Sequence, residues 1–186
     1  MRIEAELKAR VRSPERVREL LGRRASEELS VYYDTYFDTP DRQLTREGRE
    51  LRARALQTGS VTTTMLTYKG TAVDVASGSK PEAETTVGDT DALRVILAGL
   101  GFEVLIAFEK HCSNYRIVAD GRTVLATLVH VPELAGTYIE IESIVDTAAE
   151  VAGALDAIRA VLGQLGIERA DETTQTYTDA VAARRA

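Results

Sequence analysis

A chain of 186 residues with 44% hydrophobic and 28% charged side chains has the composition of an ordinary globular domain, long enough for one full core and expected to be a single domain over residues 1–186. It has no run of about 18 apolar residues to span a bilayer, no apolar signal core behind Met1, and one cysteine, Cys112, which cannot form an internal disulfide. A net charge of −6 argues against a nucleic acid held on a basic surface, and a cytoplasmic protein with neither nucleic-acid nor membrane partners is expected.

Residues 2–12 alternate polar and apolar without a break, so Glu4, Glu6 and Lys8 share one face of a strand while Ile3, Ala5, Leu7 and Ala9 share the other. Ser13-Pro14-Glu15 reads as an N-cap, a first-turn proline and a first-turn acid, opening a helix that Gly22 ends. Residues 30–39, rich in aromatic and β-branched side chains, read as a strand that turns at Thr39-Pro40-Asp41. Two more alternating strands follow over 48–56 and 61–70, the first with Arg52 and Arg54 on one face and the second with Thr67 and Lys69. The Gly/Ser-rich segment from Gly70 to Lys80 has no periodicity and reads as a mobile loop. Strand 82–87 and a helix with Leu93, Ile96, Leu97 and Leu100 on its stripe come next. Segments 102–118 and 122–131 form a hairpin about Ala119-Asp120-Gly121. The chain ends with strand 138–145, a helix striped by Val151, Leu155, Ile158, Leu162 and Leu165, and a last helix in the tail. Strands outnumber helices and short turns join many of them, so the expected class is mostly antiparallel α+β.

An E-x-E strand followed by a turn, an amphipathic helix and a glycine occurs three times, which marks a diverged internal repeat and yields the pairs Glu4/Glu6, Glu82/Glu84 and Glu140/Glu142. On an outward face such pairs are screened and carry no meaning. On one shared inner surface six carboxylates repel unless cations neutralise them. The chain has only four lysines against nineteen arginines, and Lys8, Lys69, Lys80 and Lys110 all lie in or beside strands. With Arg52 and Arg54 they give a closed sheet an acidic and a basic side, which suits a polyanion joined to the acids by a divalent metal.

The stretches "EAELK" (4–8), "YFDTPDRQLTREGRELRAR" (36–54), "TYKG" (67–70), "KPEAE" (80–84), "YIEIE" (138–142) and "TYTDAV" (176–181) together resemble the CYTH family, or triphosphate tunnel metalloenzymes, over nearly the whole chain. The resemblance implies an eight-stranded antiparallel β-barrel forming a tunnel, with helices outside. It also implies Mg²⁺ or Mn²⁺ on Glu4, Glu6, Glu140 and Glu142, with Glu84 and Glu82 beside them, and phosphate on Lys8, Arg52, Arg54, Lys69 and Lys110. Lys8, Lys69 and Glu84 are the implied catalytic residues. Cys112 stands where the family often has a second basic residue after Lys110, with Arg116 as its substitute; Thr127, Val129 and His130 occupy the strand that often carries an Asp, leaving open one metal or two.

The expected partner is a small molecule carrying a triphosphate (tripolyphosphate, thiamine triphosphate or ATP), and the protein is a monomer or homodimer. The expected activity is metal-dependent triphosphate hydrolysis, with a class IV adenylyl cyclase or a non-catalytic polyphosphate-binding module as alternatives. Neighbouring strand residues face opposite ways, so His111 and Cys112 form no nucleophile and base, and Cys112 is expected buried and inert. His130 reads as a packed or surface residue, and Tyr33, Tyr36 and Tyr177 as packing or wall residues, with a hydrogen bond from one of these tyrosines to a phosphate or to Lys8 as the sharper alternative. No glycine-rich P-loop is present.

Overall fold

The computed structural model describes residues 1–186, and every alternating segment in it is a strand. The order is β1 (Arg2–Val11), α1 (Pro14–Gly22), β2 (Glu28–Asp38), α2 (Gln43–Arg46), β3 (Glu50–Thr58), β4 (Val61–Lys69), β5 (Lys80–Val87), α3 (Thr90–Gly99), β6 (Glu103–Ala119), β7 (Arg122–His130), β8 (Thr137–Val145), α4 (Val151–Gln164) and α5 (Tyr177–Arg185). The eight strands close into one antiparallel barrel in the order β1-β5-β4-β3-β2-β6-β7-β8, so the α+β barrel implied by the resemblance is the fold.

Alternation sorts each strand between an outer core and a charged lumen. Ile3, Ala5, Leu7, Ala9 and Val11 of β1 join Ile139 and Ile141 of β8 and Val124, Ala126 and Leu128 of β7 in a cluster that α1 and α4 cover. Val151, Leu155, Ile158 and Leu162 of α4 and its C-cap Leu165 are all buried there, as their spacing predicts, and each such side chain contributes about 1.5–3 kcal/mol. On α3 the stripe is only half used: Leu93 and Leu97 pack on Phe37, Leu51 and Ala53, whereas Ile96 and Leu100 are exposed at 57% and 69%.

Three local features depart from the expectations. Ser13 precedes α1, but its side chain makes no capping bond. The segment from Gly70 to Lys80 is a hydrogen-bonded turn rather than an aperiodic loop: Asp74 accepts from the amide and hydroxyl of Ser77, each at 2.8 Å, and the Val73 amide reaches the Ser79 carbonyl at 2.9 Å. Short α2, which no apolar period announces, is held by the buried Asp38 carboxylate, which accepts from the amides of Thr39, Leu44 and Thr45 at 2.8, 2.9 and 3.0 Å. The β6–β7 turn is as expected, with Asp120 and Gly121 at φ of 49° and 69°, the left-handed pair such a hairpin requires.

Candidate functional site

Register brings the charged residues together. Antiparallel pairing of β1 with β8 sets Glu6 opposite Glu142 and Lys8 opposite Glu140, and the β4 pairings set Lys69 beside Glu50 and Glu82, and Thr67 beside Arg52 and Glu84. Asp34 and Tyr36 of β2 lie opposite Arg54 and Arg52 of β3, and Tyr32 lies opposite Lys110 of β6. Because the side-chain period of a strand is two, one inner position in register places its neighbours inside as well.

The acidic side centres on Glu4, Glu6 and Glu142, whose carboxylate oxygens lie within 4.8 Å of one another. Burial, with the charges of Glu140 and Glu4, pushes Glu6 up to about 7. Burial, with Glu4 and Glu6, holds Glu142 well above the ordinary carboxyl range. Glu4 behaves oppositely: burial opposes its ionisation, but the bonded Lys69 ammonium outweighs burial and brings it to about 2. Lys69 also lies 3.2 Å from Glu82.

Glu140 and Glu84 lie apart from that triad. Glu140 accepts from Lys110 at 3.3 Å, while the half-exposed Glu84 accepts from the Thr67 hydroxyl at 2.7 Å with Arg52 3.9 Å away. Arg54 clamps Asp34 with two bonds, Nε at 2.6 Å and Nη2 at 2.7 Å, and stacks on the Tyr32 ring at 4.4 Å. Tyr32 in turn donates to Asn114 at 3.0 Å, and Asn114 also accepts from Thr127 at 3.0 Å. The lumen thus joins Lys8, Arg52, Arg54, Lys69 and Lys110 to the six glutamates of the three pairs. Lys80 pairs with Glu50 at 2.6 Å, and Arg116 stands exposed outside these pairs.

Asp34, Glu50, Tyr32 and Asn114 escaped the sequence reading. Asp34 had a signal, since a lone acid alternates with Tyr32 and Tyr36 on one face of β2; Asn114 had none, because an amide on an apolar strand looks like any other polar residue. Cys112 is 3% exposed and burial pushes its thiol up to about 12, while His111 faces out, as adjacent strand positions require. His111 and His130 line a cavity of about 440 Å³ together with Arg18, Leu29, Ser30 and Cys112.

A closed antiparallel barrel that lines its lumen with opposed acidic and basic side chains is an architecture for holding a polyanion. The CYTH domain model matches residues 2–177, and the chain belongs to the CYTH family, whose members are in general metal-dependent enzymes of triphosphate substrates. Over 179 residues it is 25% identical to a protein of Methanocaldococcus jannaschii provisionally named an adenylate cyclase, covering 95% of this chain and 97% of that protein. A solved protein of Pyrococcus horikoshii superposes with a TM-score of 0.86 at 27% identity, covering 98% of this chain and 99% of the other. The barrel is shared, at 18% identity and a TM-score of 0.66, with a protein from Hippeastrum, covering 98% and 96%; that protein is described as a provisional adenylyl cyclase with a dominant triphosphatase activity. No helix of the chain is long and apolar enough to cross a membrane.

Proposed function

We propose that this protein hydrolyses inorganic or organic triphosphate with the help of Mg²⁺ or Mn²⁺. The observation that carries the reading is the division of one closed lumen into a carboxylate triad, Glu4, Glu6 and Glu142, and a facing set of lysines and arginines. The triad fits a hard divalent cation: it offers only oxygen donors, and Glu6 and Glu142 are pushed upward by burial and by neighbouring carboxylates, a repulsion that a cation relieves. Glu140 and Glu84 are the further proposed ligands. When bound, the metal supplies Lewis-acid neutralisation of polyphosphate charge.

The chain's own residues do the rest. Lys69 and Lys110 are ammonium point charges, and Arg52 offers a planar fork, so together they bind phosphate oxygens of both geometries. Lys8, which burial makes easier to deprotonate, sits in register with Glu140 beside them. Arg54 is oriented by Asp34 and Tyr32, which fixes its guanidinium before a substrate arrives. Glu84, aimed by the Thr67 hydroxyl, orients the attacking water and accepts its proton while the lysines hold charge on the departing phosphate.

A second reading, the class IV cyclase, draws on the name given to the Methanocaldococcus relative. The two differ in the phosphorus attacked: the terminal one by water, or the α one by a ribose hydroxyl. Incubation with tripolyphosphate, thiamine triphosphate and ATP, each with Mg²⁺ or Mn²⁺, separates them by product. Orthophosphate is the expected result, cyclic AMP with pyrophosphate establishes the cyclase, and tight binding without product leaves a binding module.

A further inference from the structure

Tyr177, the first residue of α5, is only 6% exposed, yet its hydroxyl is buried with no hydrogen-bond partner, oriented toward Glu140 without reaching bonding geometry. Buried tyrosine hydroxyls ordinarily find a partner, and an orphan one costs stability. Its ring is fixed on four sides. Tyr138 meets it edge-on at 5.4 Å and Phe108 at 6.5 Å, while the ammonium groups of Lys8 and Lys110 lie 4.6 and 4.9 Å from its centre.

The segment that delivers the ring is tied down as well. The Thr173 amide donates to the Lys8 carbonyl at 2.8 Å, Lys8 reaches the Gln175 carbonyl, and at the other end of α5 Arg185 grips Glu133 with two bonds of 2.7 Å. Tyr177 is thus an immobilised donor with no acceptor in bonding geometry, facing Glu140 and lying between two cations that face the lumen.

We infer that the Tyr177 hydroxyl is a substrate contact, donating a hydrogen bond to a phosphoryl oxygen of a triphosphate held by Lys8 and Lys110. The inference rests on the triphosphate reading above. Three donors then converge on one anion from three elements: Lys8 from β1, Lys110 from β6 and Tyr177 from α5. A tyrosine hydroxyl is both donor and acceptor, and beside a phosphoryl oxygen, which can only accept, it donates.

Tyr177→Phe keeps the ring, its edge contacts and its cation stacking, and removes the hydroxyl alone. Calorimetric titration of wild type and variant with tripolyphosphate in the presence of Mn²⁺, beside thermal melts of both without ligand, tests the assignment. Because a hydrogen bond to a charged acceptor is being lost, the variant is expected to bind roughly 10- to 100-fold more weakly. Its melting temperature without ligand should equal or exceed that of wild type, the orphan group being gone. Equal affinity in the two proteins overturns the role of Tyr177 and leaves the triphosphate reading standing. Absence of binding by wild type overturns both, and weaker binding with a lowered melting temperature assigns the hydroxyl to packing and overturns the contact.

Discussion

Glu6 and Glu142 face each other across the seam between β1 and β8, and both are hard to ionise: Glu142 through burial with the charges of Glu4 and Glu6, and Glu6 through burial with those of Glu140 and Glu4. A carboxyl whose folded-state pKa is raised binds its proton more tightly in the barrel than in the unfolded chain. Its contribution is therefore complete below the ordinary value of 4.5 and is lost as pH rises through about 7, the value for Glu6. Asp34 and Glu4 work in the opposite direction: bonded Arg54 and Lys69 overcome burial and depress both, so their contribution is lost only in acid. Glu142→Gln removes one of the repelling groups. Melts of the metal-free protein between pH 5 and 8 should show the variant's stability declining less steeply with pH than wild type, and at pH 8 the variant should be at least as stable. Melts with Mn²⁺ should show less metal-dependent stabilisation in the variant. A steeper decline in the variant would mean that Glu142 is not held above the ordinary carboxyl range.

The elements show how far pattern reaches. β1 was legible in full, because period-two alternation over ten residues leaves one choice of inner face, and α4 was legible because every residue of its stripe meets the wall of β1, β7 and β8. The α3 stripe promised more than it delivers: the helix touches the outer wall through Leu93 and Leu97 only, and periodicity cannot say how wide a surface a helix will find. Closure of the barrel came from family resemblance, since no local pattern encodes the β2–β6 and β1–β5 pairings. The lumen charges were legible as types and faces, whereas their partners depend on register; hence Asp34, which holds Arg54, and the separation of Glu140 from the triad became visible only in three dimensions. The outer core and the lumen also separate energetically. Ile158, 0% exposed in α4, should lose about 2–5 kcal/mol of stability on replacement by Ala, measured by denaturant unfolding. Tripolyphosphate affinity at temperatures where the variant is folded should remain that of wild type, because the cavity opens outside the barrel wall.

In the molecule as a whole, a chain of net charge −6 gathers five of its basic side chains inside, where they meet an acidic side that would otherwise repel itself. Ion pairs such as Lys69 with Glu4 and Lys110 with Glu140 hold the two sides together, and a polyanion that engages the lysines must release those carboxylates. Under the proposed function, cation and triphosphate complete each other's site: the anion would satisfy the lysines and arginines, and the cation the freed glutamates. Thermal melts with Mn²⁺ alone, tripolyphosphate alone and the two together measure this dependence directly. At about 100 times the dissociation constant the pair should add about 2.7 kcal/mol, raising the melting temperature by several degrees beyond either component. A shift from the pair no larger than the greater single shift would contradict a lumen built to hold triphosphate and metal together.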